Sequence, residues 1–282
     1  MANNLKELYG VSIDNKTINW KTVIDTQICP YLNRKCLKNR KSEADLTIGT
    51  CSVVYGREEK SIIICPHRLL ERHQIFMDCI HLLTLHEPGN ELHIISEVGI
   101  PGGNVDYFLV STRDRKVKDF VAIELQTLDT TGTVWPFRQR FIQSKGIDAK
   151  KEDIKSKKPF GMNWKMTAKT ILVQMHHKIR TLEHLNKHLV LVVQDPLLEY
   201  MTKEFTFSHI QEVARVGDSM HFHSYAMKET ANTLHLSLSS RKSTDSNGVA
   251  TCLGLESEAE IDLEEIVKKL EIKISDKTLM MI

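Results

Sequence analysis

The spacing of apolar residues changes from helical to strand-like near residue 90. Apolar residues recur at helical intervals over 69–87, which predicts a helix there. The next three apolar runs have the length and spacing of strands. They cover residues 92–98, 105–111 and 120–128, with a turn at 100–104 and a polar turn at 112–119. This part of the chain is therefore predicted to form strands joined by turns.

The second half of the chain carries the strongest helical pattern. Residues 167–185 present one apolar stripe, made by Ile171, Leu172, Met175, Ile179, Leu182 and Leu185. The other predicted elements are a helix with a lead-in over 1–26, a basic loop over 137–160, a buried strand over 188–194, a helix over 196–203, an edge strand around Leu234, Leu236 and Leu238, and an acidic helix over 258–270. This order of helices and strands predicts a mixed α/β core.

Composition narrows the class of protein. The chain has 282 residues, 41% of them hydrophobic, which is enough for one large domain or two small ones. It has no run of the roughly 18 apolar residues that a membrane helix needs, and residues 1–10 do not resemble a signal peptide. We therefore expect a cytoplasmic protein without a membrane partner.

The net charge of +2 argues neither for nor against nucleic-acid binding. Basic residues crowd 34–41 and 138–158, where solvated loops are the alternative to a binding surface.

Cysteines are unevenly distributed along the chain. Four of the six lie close together near the N-terminus, and the other two are scattered. Disulfides are uncommon in cytosolic proteins of this size, and the asymmetry suggests a metal site rather than a framework of bridges. Tetrahedral thiolate sites suit zinc or iron. The long intervals differ from the CxxC pattern, so buried cysteines without a metal are the alternative.

Asp106 and Glu124 are the best candidates for metal-assisted chemistry. They lie at the outer ends of two predicted strands, and the midpoint between them is Arg115, inside the polar turn. A symmetric hairpin would set them nearly opposite each other, with Cβ atoms about 5 Å apart. Two carboxylates that close repel unless a divalent cation binds between them, and Mg²⁺ prefers one or two carboxylates with waters and phosphate oxygens. The pair therefore suits hydrolysis of a phosphodiester.

Gln126 belongs to the same strand face as Glu124. Side chains alternate along a strand, so Ala122, Glu124 and Gln126 share one face while Val121, Ile123 and Leu125 pack into the core from the other. The glycines before Asp106 would let the backbone approach a ligand closely. A surface hairpin with unrelated polar residues is the alternative interpretation.

These residues stand in stretches that resemble a known family. GGNVDYFLV followed by FVAIELQ resembles the core of PD-(D/E)xK nucleases, with Gln126 at the position of the usual lysine. More narrowly, the chain resembles the NotI family of type II restriction endonucleases. The supporting stretches are CPYLNRKC, GTCSV, IIICPHR, ELQTLDTTG and NWKMTAKTILVQMHHK, which together span residues 29 to about 194.

The resemblance implies a homodimer that cuts double-stranded DNA at a short palindromic site with Mg²⁺ and leaves a 5′-phosphate. Asp106 and Glu124 would bind the metal, and Gln126 would orient the attacking water or the scissile phosphate. Nucleases of this type often use a further upstream acid, for which Glu97 is the candidate, although it could equally be a surface residue at a strand end.

The resemblance also implies a metal site of four cysteines, favouring iron over zinc, in a structural role. These would be Cys29, Cys36, Cys51 and Cys65. We therefore expect an N-terminal region with a four-cysteine metal-binding module over 1–68. A PD-(D/E)xK nuclease domain with DNA-recognition insertions would cover 69–282, its mixed central sheet flanked by helices.

Two other functions are compatible with the sequence. The chain could be a sequence-specific DNA-binding protein on an inactive nuclease scaffold, because glutamine lacks the charge of lysine. It could also be a repair nuclease that recognises DNA structure rather than sequence. A cleavage assay separates them, since discrete fragments, no cutting and smeared products are the three expected outcomes.

Overall fold

The computed structural model describes residues 4–156 and 159–255, together with Val267 and Ile272. The N-terminal part is built on a four-stranded antiparallel sheet of order β2-β1-β7-β8, with β3–β4 and β5–β6 as two small hairpins. Its elements are β1 (Leu5–Leu8), β2 (Val11–Ser12), α1 (Trp20–Thr26), β3 (Ile28–Cys29), β4 (Arg34–Lys35), β5 (Asn39–Arg40), β6 (Glu43–Thr47), β7 (Thr50–Tyr55) and β8 (Lys60–Ile63). The helix predicted over 1–26 is present only as α1. The residues before it form strands because Leu5 and Leu8 are buried against β7.

The continuous helix predicted over 69–87 is wrong. Three short pieces replace it: a 3-10 helix over Pro66–His73, α2 (Gln74–Met77) and a second 3-10 helix over Ile80–Leu82. Arg72 and His73 have φ of 51° and 56°, in the left-handed region, so the chain kinks between the first two pieces. The apolar residues still face one side, where they pack on the central sheet. Three short helical turns in succession thus bury the same apolar residues that one continuous helix would have buried.

A six-stranded sheet dominates the rest of the chain. The elements are β9 (Glu91–Ile100), β10 (Gly103–Arg113), β11 (Lys116–Leu125), β12 (Thr130–Thr131), α3 (Trp135–Ser144), α4 (Lys151–Lys155), β13 (Gly161–Met162), α5 (Trp164–His184), β14 (His188–Gln194), α6 (Asp195–Glu204), β15 (Met220–Thr230), β16 (Thr233–Thr244) and α7 (Ser246–Cys252). The strand order is β16-β15-β14-β11-β10-β9. β14 runs parallel to both β11 and β15, and the other pairs are antiparallel. The predicted mixed α/β architecture, with helices flanking a mixed central sheet, is confirmed.

Helices α3 and α4 occupy the segment predicted to be a basic loop over 137–160. That prediction is wrong because α3 is anchored in the protein. Phe141 and Ile142 are buried, and so is Arg138, whose guanidinium donates to the carbonyl of Ile48 and to the hydroxyl of Tyr9. Two of the basic residues, Arg138 and Arg140, thus belong to a packed helix, and Arg138 is internal. The helix predicted over 258–270 lies outside the described residues, apart from Val267.

Both faces of the central sheet are covered around β11 and β14. Helix α5 packs on one face through Ile171, Leu172, Met175, Ile179 and Leu182, in the larger hydrophobic core that also holds Ala122 of β11. The short helical pieces after β8 pack on the other face, where Val121, Ile123 and Leu125 of β11 are buried. The predicted alternation along β11 is therefore confirmed, and Glu124 belongs to the face that α5 covers.

Candidate active site

The hairpin of β10 and β11 sets the geometry of the site. Its register pairs Tyr107 with Ile123, which leaves Asp106 level with Glu124 at the next position. Asp106 Oδ2 accepts a hydrogen bond of 2.8 Å from the backbone N–H of Leu125, so the carboxylate is tied to the neighbouring strand. The structure therefore brings Asp106 and Glu124 together, as the symmetric hairpin predicted.

Glu124 is a buried carboxyl group, 4% exposed. Burial raises its pKa to about 7, and the nearby charge of Asp106 acts in the same direction. The hydrogen bond and charge of Lys178 oppose this shift, as does a hydrogen bond from the backbone of Asp106. Having both carboxylates ionised is unfavourable here, because they are close together and Glu124 is buried. A divalent cation bound between them would offset this repulsion.

Lys178 is the site residue that sequence analysis did not identify. It lies on α5, and its ammonium donates to Glu124 Oε1 at 2.6 Å. Both side chains are nearly inaccessible, at 7% and 5%. One signal in the sequence could have found it. Lys178 follows Met175 by three residues and precedes Leu182 by four, so it interrupts the apolar stripe of the strongest helix with a charge.

The glycine turn between β9 and β10 fits against helix α5 at Lys178. A Cβ on Gly102 would overlap the backbone carbonyl oxygen of His177, and one on Gly103 would lie 3.4 Å from Lys178 Cε. Thr181 Oγ1 also donates to the carbonyl of Pro101 at 2.9 Å. The close approach expected of these glycines is therefore made to a helix of the same chain, and it brings the Lys178 stem to the carboxylate pair.

Gln126 follows the last residue of β11. Its backbone N–H continues the ladder by donating to the carbonyl of Val192 at 3.0 Å. Its side-chain Nε2 donates to the carbonyl of Thr127 at 2.6 Å. In this structure the amide is therefore engaged with its own backbone rather than with either carboxylate.

Glu97 lies on β9, beside Asp106. The register pairs on either side, Val105 with Val98 and Tyr107 with Ser96, leave Asp106 level with Glu97. Three acidic residues thus stand in one row across adjacent strands. Glu97 is exposed and has a φ of 55°, so its backbone departs from regular strand geometry.

The residues of the site that could bind Mg²⁺ are the carboxylates of Asp106 and Glu124. Within the described ranges, no three histidine, cysteine or acidic residues are grouped so that they could hold a metal ion. Mg²⁺ is bound in proteins by one or two carboxylates, and waters and phosphate oxygens complete its shell. Asp106 and Glu124 fit that requirement in number, in chemical type and in their position on adjacent strands.

The four N-terminal cysteines come from separate elements of the small sheets. Cys29, Cys51 and Cys65 are buried and Cys36 is half-buried, all as free thiols. Burial is the main cause that raises the pKa of Cys51, and the charges of Cys65 and Cys29 add to it. Burial likewise raises the pKa of Cys65, with contributions from Cys36 and Cys29. Thiolates are suitable ligands for zinc or iron, but among the residues that the structure describes no three of these cysteines are grouped so that they could hold a metal ion.

The other two cysteines have different surroundings. Cys79 lies 3.8 Å from His223 Nδ1, and Cys252 lies 3.8 Å from His209 Nε2. Burial raises the pKa of both thiols, to about 12 for Cys252. Each of these two thiols therefore lies beside a histidine.

Comparison with known proteins identifies the class. The arrangement is that of a mixed-sheet protein with a carboxylate pair at the ends of two adjacent strands. The family model for the restriction endonuclease NotI matches residues 21–238. The chain belongs to the NotI restriction endonuclease family and is a type II site-specific deoxyribonuclease, a hydrolase that acts on double-stranded DNA. Among the three functions that the sequence left open, this assignment supports the restriction endonuclease.

No curated protein matches the chain. Among the helices that the structure describes, none is long and apolar enough to cross a membrane.

Proposed function

We propose that the protein hydrolyses phosphodiester bonds of double-stranded DNA at a short palindromic sequence, using Mg²⁺ on a PD-(D/E)xK-type core. One observation carries the proposal: Asp106 and Glu124 lie side by side on adjacent strands, in a chain of the NotI family. Mg²⁺ bound there would lower the pKa of a bound water and offset charge on the phosphate.

Each residue of the site has a proposed role. Asp106 and Glu124 hold the metal through their carboxylates. Gln126, half-buried next to them along the strand, orients the attacking water or the phosphate once its amide leaves the Thr127 carbonyl. Glu97 stands in the same row and supplies a further acid from the exposed side of Asp106.

A homodimer would match the two-fold symmetry of a palindrome. The edge strand β9 supports this part of the proposal. Its residues are exposed from Glu91 to Gly99, and they include the apolar side chains of Leu92, Ile94, Ile95 and Val98. A long apolar edge of this kind pairs readily with another chain. Sedimentation of the purified protein should give twice the mass of the chain, and a monomer at all concentrations would contradict the dimer.

The four clustered cysteines are proposed to hold a structural iron or zinc ion in an N-terminal module. Three of the thiols are buried in a region of short strands, and the charges of Cys65 and Cys29 act on Cys51, which supports the proposal. Thiolate ligands suit either metal.

Cleavage of plasmid or phage DNA with Mg²⁺ tests the proposed activity. Discrete fragments are expected from the wild-type protein, and none from Asp106→Asn or Glu124→Gln. Asp114→Asn is the matched control because Asp114 lies in the turn at the far end of the same hairpin, with a φ of 52° that asparagine tolerates. Its fragments should equal those of the wild type. A wild-type protein that leaves varied DNA uncut, or cutting by the Asp106 variant, would refute the proposal.

A further inference from the structure

The proposed centre lacks a positive charge at Gln126. A glutamine amide donates hydrogen bonds but carries no charge. Phosphodiester hydrolysis builds negative charge on the phosphate oxygens, and preorganised cations stabilise that charge strongly in a buried site. A cation from another part of the chain is therefore the feature to look for near Glu124.

Lys178 meets this requirement by geometry. Its ammonium lies 2.6 Å from Glu124 Oε1, in a site where both side chains are almost completely buried. Burying a charged pair costs desolvation, and an apolar residue at the same place would often be as stable or more so. A lysine on the apolar stripe of α5 is thus poorly explained by stability alone.

The neighbouring backbone is shaped around this lysine. Gly102 leaves room for the α5 carbonyl at His177, and Gly103 lies against the Lys178 stem. The hydrogen bond from Thr181 to Pro101 fixes the helix to the same turn. The turn that precedes Asp106 therefore determines where the ammonium lies relative to both carboxylates.

We propose that Lys178 is the catalytic cation of the centre and binds the scissile phosphate, in place of the positive charge that Gln126 does not provide. An ammonium has three donors. One is used on Glu124, and the others are available to a phosphate oxygen next to the metal-binding carboxylates. This inference rests on the proposed function, since it requires DNA to be cut at Asp106 and Glu124.

Lys178→Met and Lys187→Met form a matched pair of variants. Lys187, between α5 and β14, makes an ion pair of the same 2.6 Å length with the buried Asp119. Single-turnover cleavage is measured at saturating Mg²⁺, and DNA binding is measured with Ca²⁺. Lys178→Met should cut roughly 100- to 1,000-fold more slowly while still binding DNA. Lys187→Met should lose stability but cut within a few-fold of the wild type.

The Mg²⁺ dependence separates phosphate binding from a role that acts only through Glu124. If Lys178 merely orients Glu124, raising Mg²⁺ will restore the rate of Lys178→Met, and that result would overturn the inference. A slow rate at every Mg²⁺ concentration supports it. Should Lys178→Met fail to fold, Lys178→Arg and Lys178→Gln carry the same test, with the arginine variant expected to cut faster. Equal rates for those two would also overturn it. Cutting that is lost in Asp106→Asn but kept in Lys178→Met refutes only the role of Lys178.

Discussion

Arg68 joins three parts of the chain, and its replacement by methionine tests how they are held together. Its guanidinium is fully buried, and Nε lies 3.0 Å from both carboxylate oxygens of Glu7 on β1. The two terminal nitrogens donate to Glu71 Oε2 at 2.9 Å and to the carbonyl of Leu234 on β16 at 2.8 Å. The substitution Arg68→Met would remove all of these contacts while keeping much of the side-chain volume.

The cost follows from what the substitution leaves behind. Glu7 is 1% exposed, and without Arg68 its carboxylate would keep the hydrogen bond of 2.7 Å from Ser52 Oγ but no cation. Removing one partner of a buried ion pair typically costs about 3–5 kcal/mol of unfolding free energy. At 2–4 °C for each kcal/mol in a chain of this size, the melting temperature should fall by roughly 6–20 °C.

Thermal unfolding of four variants checks this reasoning. Arg113→Met removes the same kind of pair at the surface, where Arg113 and Glu87 are 45% and 69% exposed, and should cost less than about 1 kcal/mol. Glu7→Met should destabilise, whereas the double variant with Arg68→Met should regain much of the loss because neither charge is then left alone. A melting temperature of Arg68→Met equal to that of Arg113→Met would refute the argument. A single transition is expected, and two transitions would indicate that residues 1–68 unfold separately.

Three further predictions concern the site and the cysteines. Because burial raises the pKa of Glu124 to about 7, protonation competes with Mg²⁺ below that pH. The Mg²⁺ concentration for half-maximal cleavage should rise up to about tenfold per pH unit below 7, and a constant requirement would contradict this. Gly102→Ala should lower the melting temperature more than Gly146→Ala, since both have positive φ but only the first meets the backbone of α5. Equal shifts would contradict the close approach. Metal analysis should find about one iron or zinc per chain, lost in Cys51→Ser and kept in Cys79→Ser, and metal-free wild-type protein would refute the cysteine site.

Elements with one dominant period were predictable from the sequence. The buried strand over 188–194 has the bounds of β14, and the apolar stripe over 167–185 corresponds to α5. The segment after β8 was not predictable, because apolar residues at helical spacing can also be buried by consecutive short turns. The left-handed backbone of Arg72 and His73 is not signalled by a glycine, the residue that adopts this conformation most readily.

In the candidate site, contacts between residues close in sequence could be predicted, whereas contacts between distant residues could not. Asp106 and Glu124 could be paired because a hairpin relates residues through a nearby turn. Lys178 comes 54 residues after Glu124, on a helix whose packing is decided by the whole core. The charge on the apolar stripe marked it as unusual, but only the tertiary structure supplies its partner. Gln126 directly follows the expected strand, and its side-chain amide donates to the backbone carbonyl of the neighbouring Thr127.

The alignment of Asp106 with Glu124 across the β10–β11 hairpin depends on one extra residue in β11. The turn at Asp114 and Arg115, with φ of 52° and 58°, pairs Arg113 with Lys116 and Thr112 with Val117. Continued without change, that register would set Asp106 level with Ile123, whose side chain faces the opposite core. The ladder shifts by one residue between Thr112 and Ser111, which pairs with Asp119, so Lys118 is bulged out.

A one-residue slip exchanges the two faces of a strand. The two-residue turn alone would therefore have sent one of the two carboxylates to the wrong side of the sheet. The symmetric hairpin predicted the right partners because the bulge restores the symmetry that the tight turn removes. The geometry of the proposed cleavage centre is thus determined by backbone features at both ends of β10: the bulge sets the register of the carboxylates, and the glycine turn sets the approach of Lys178.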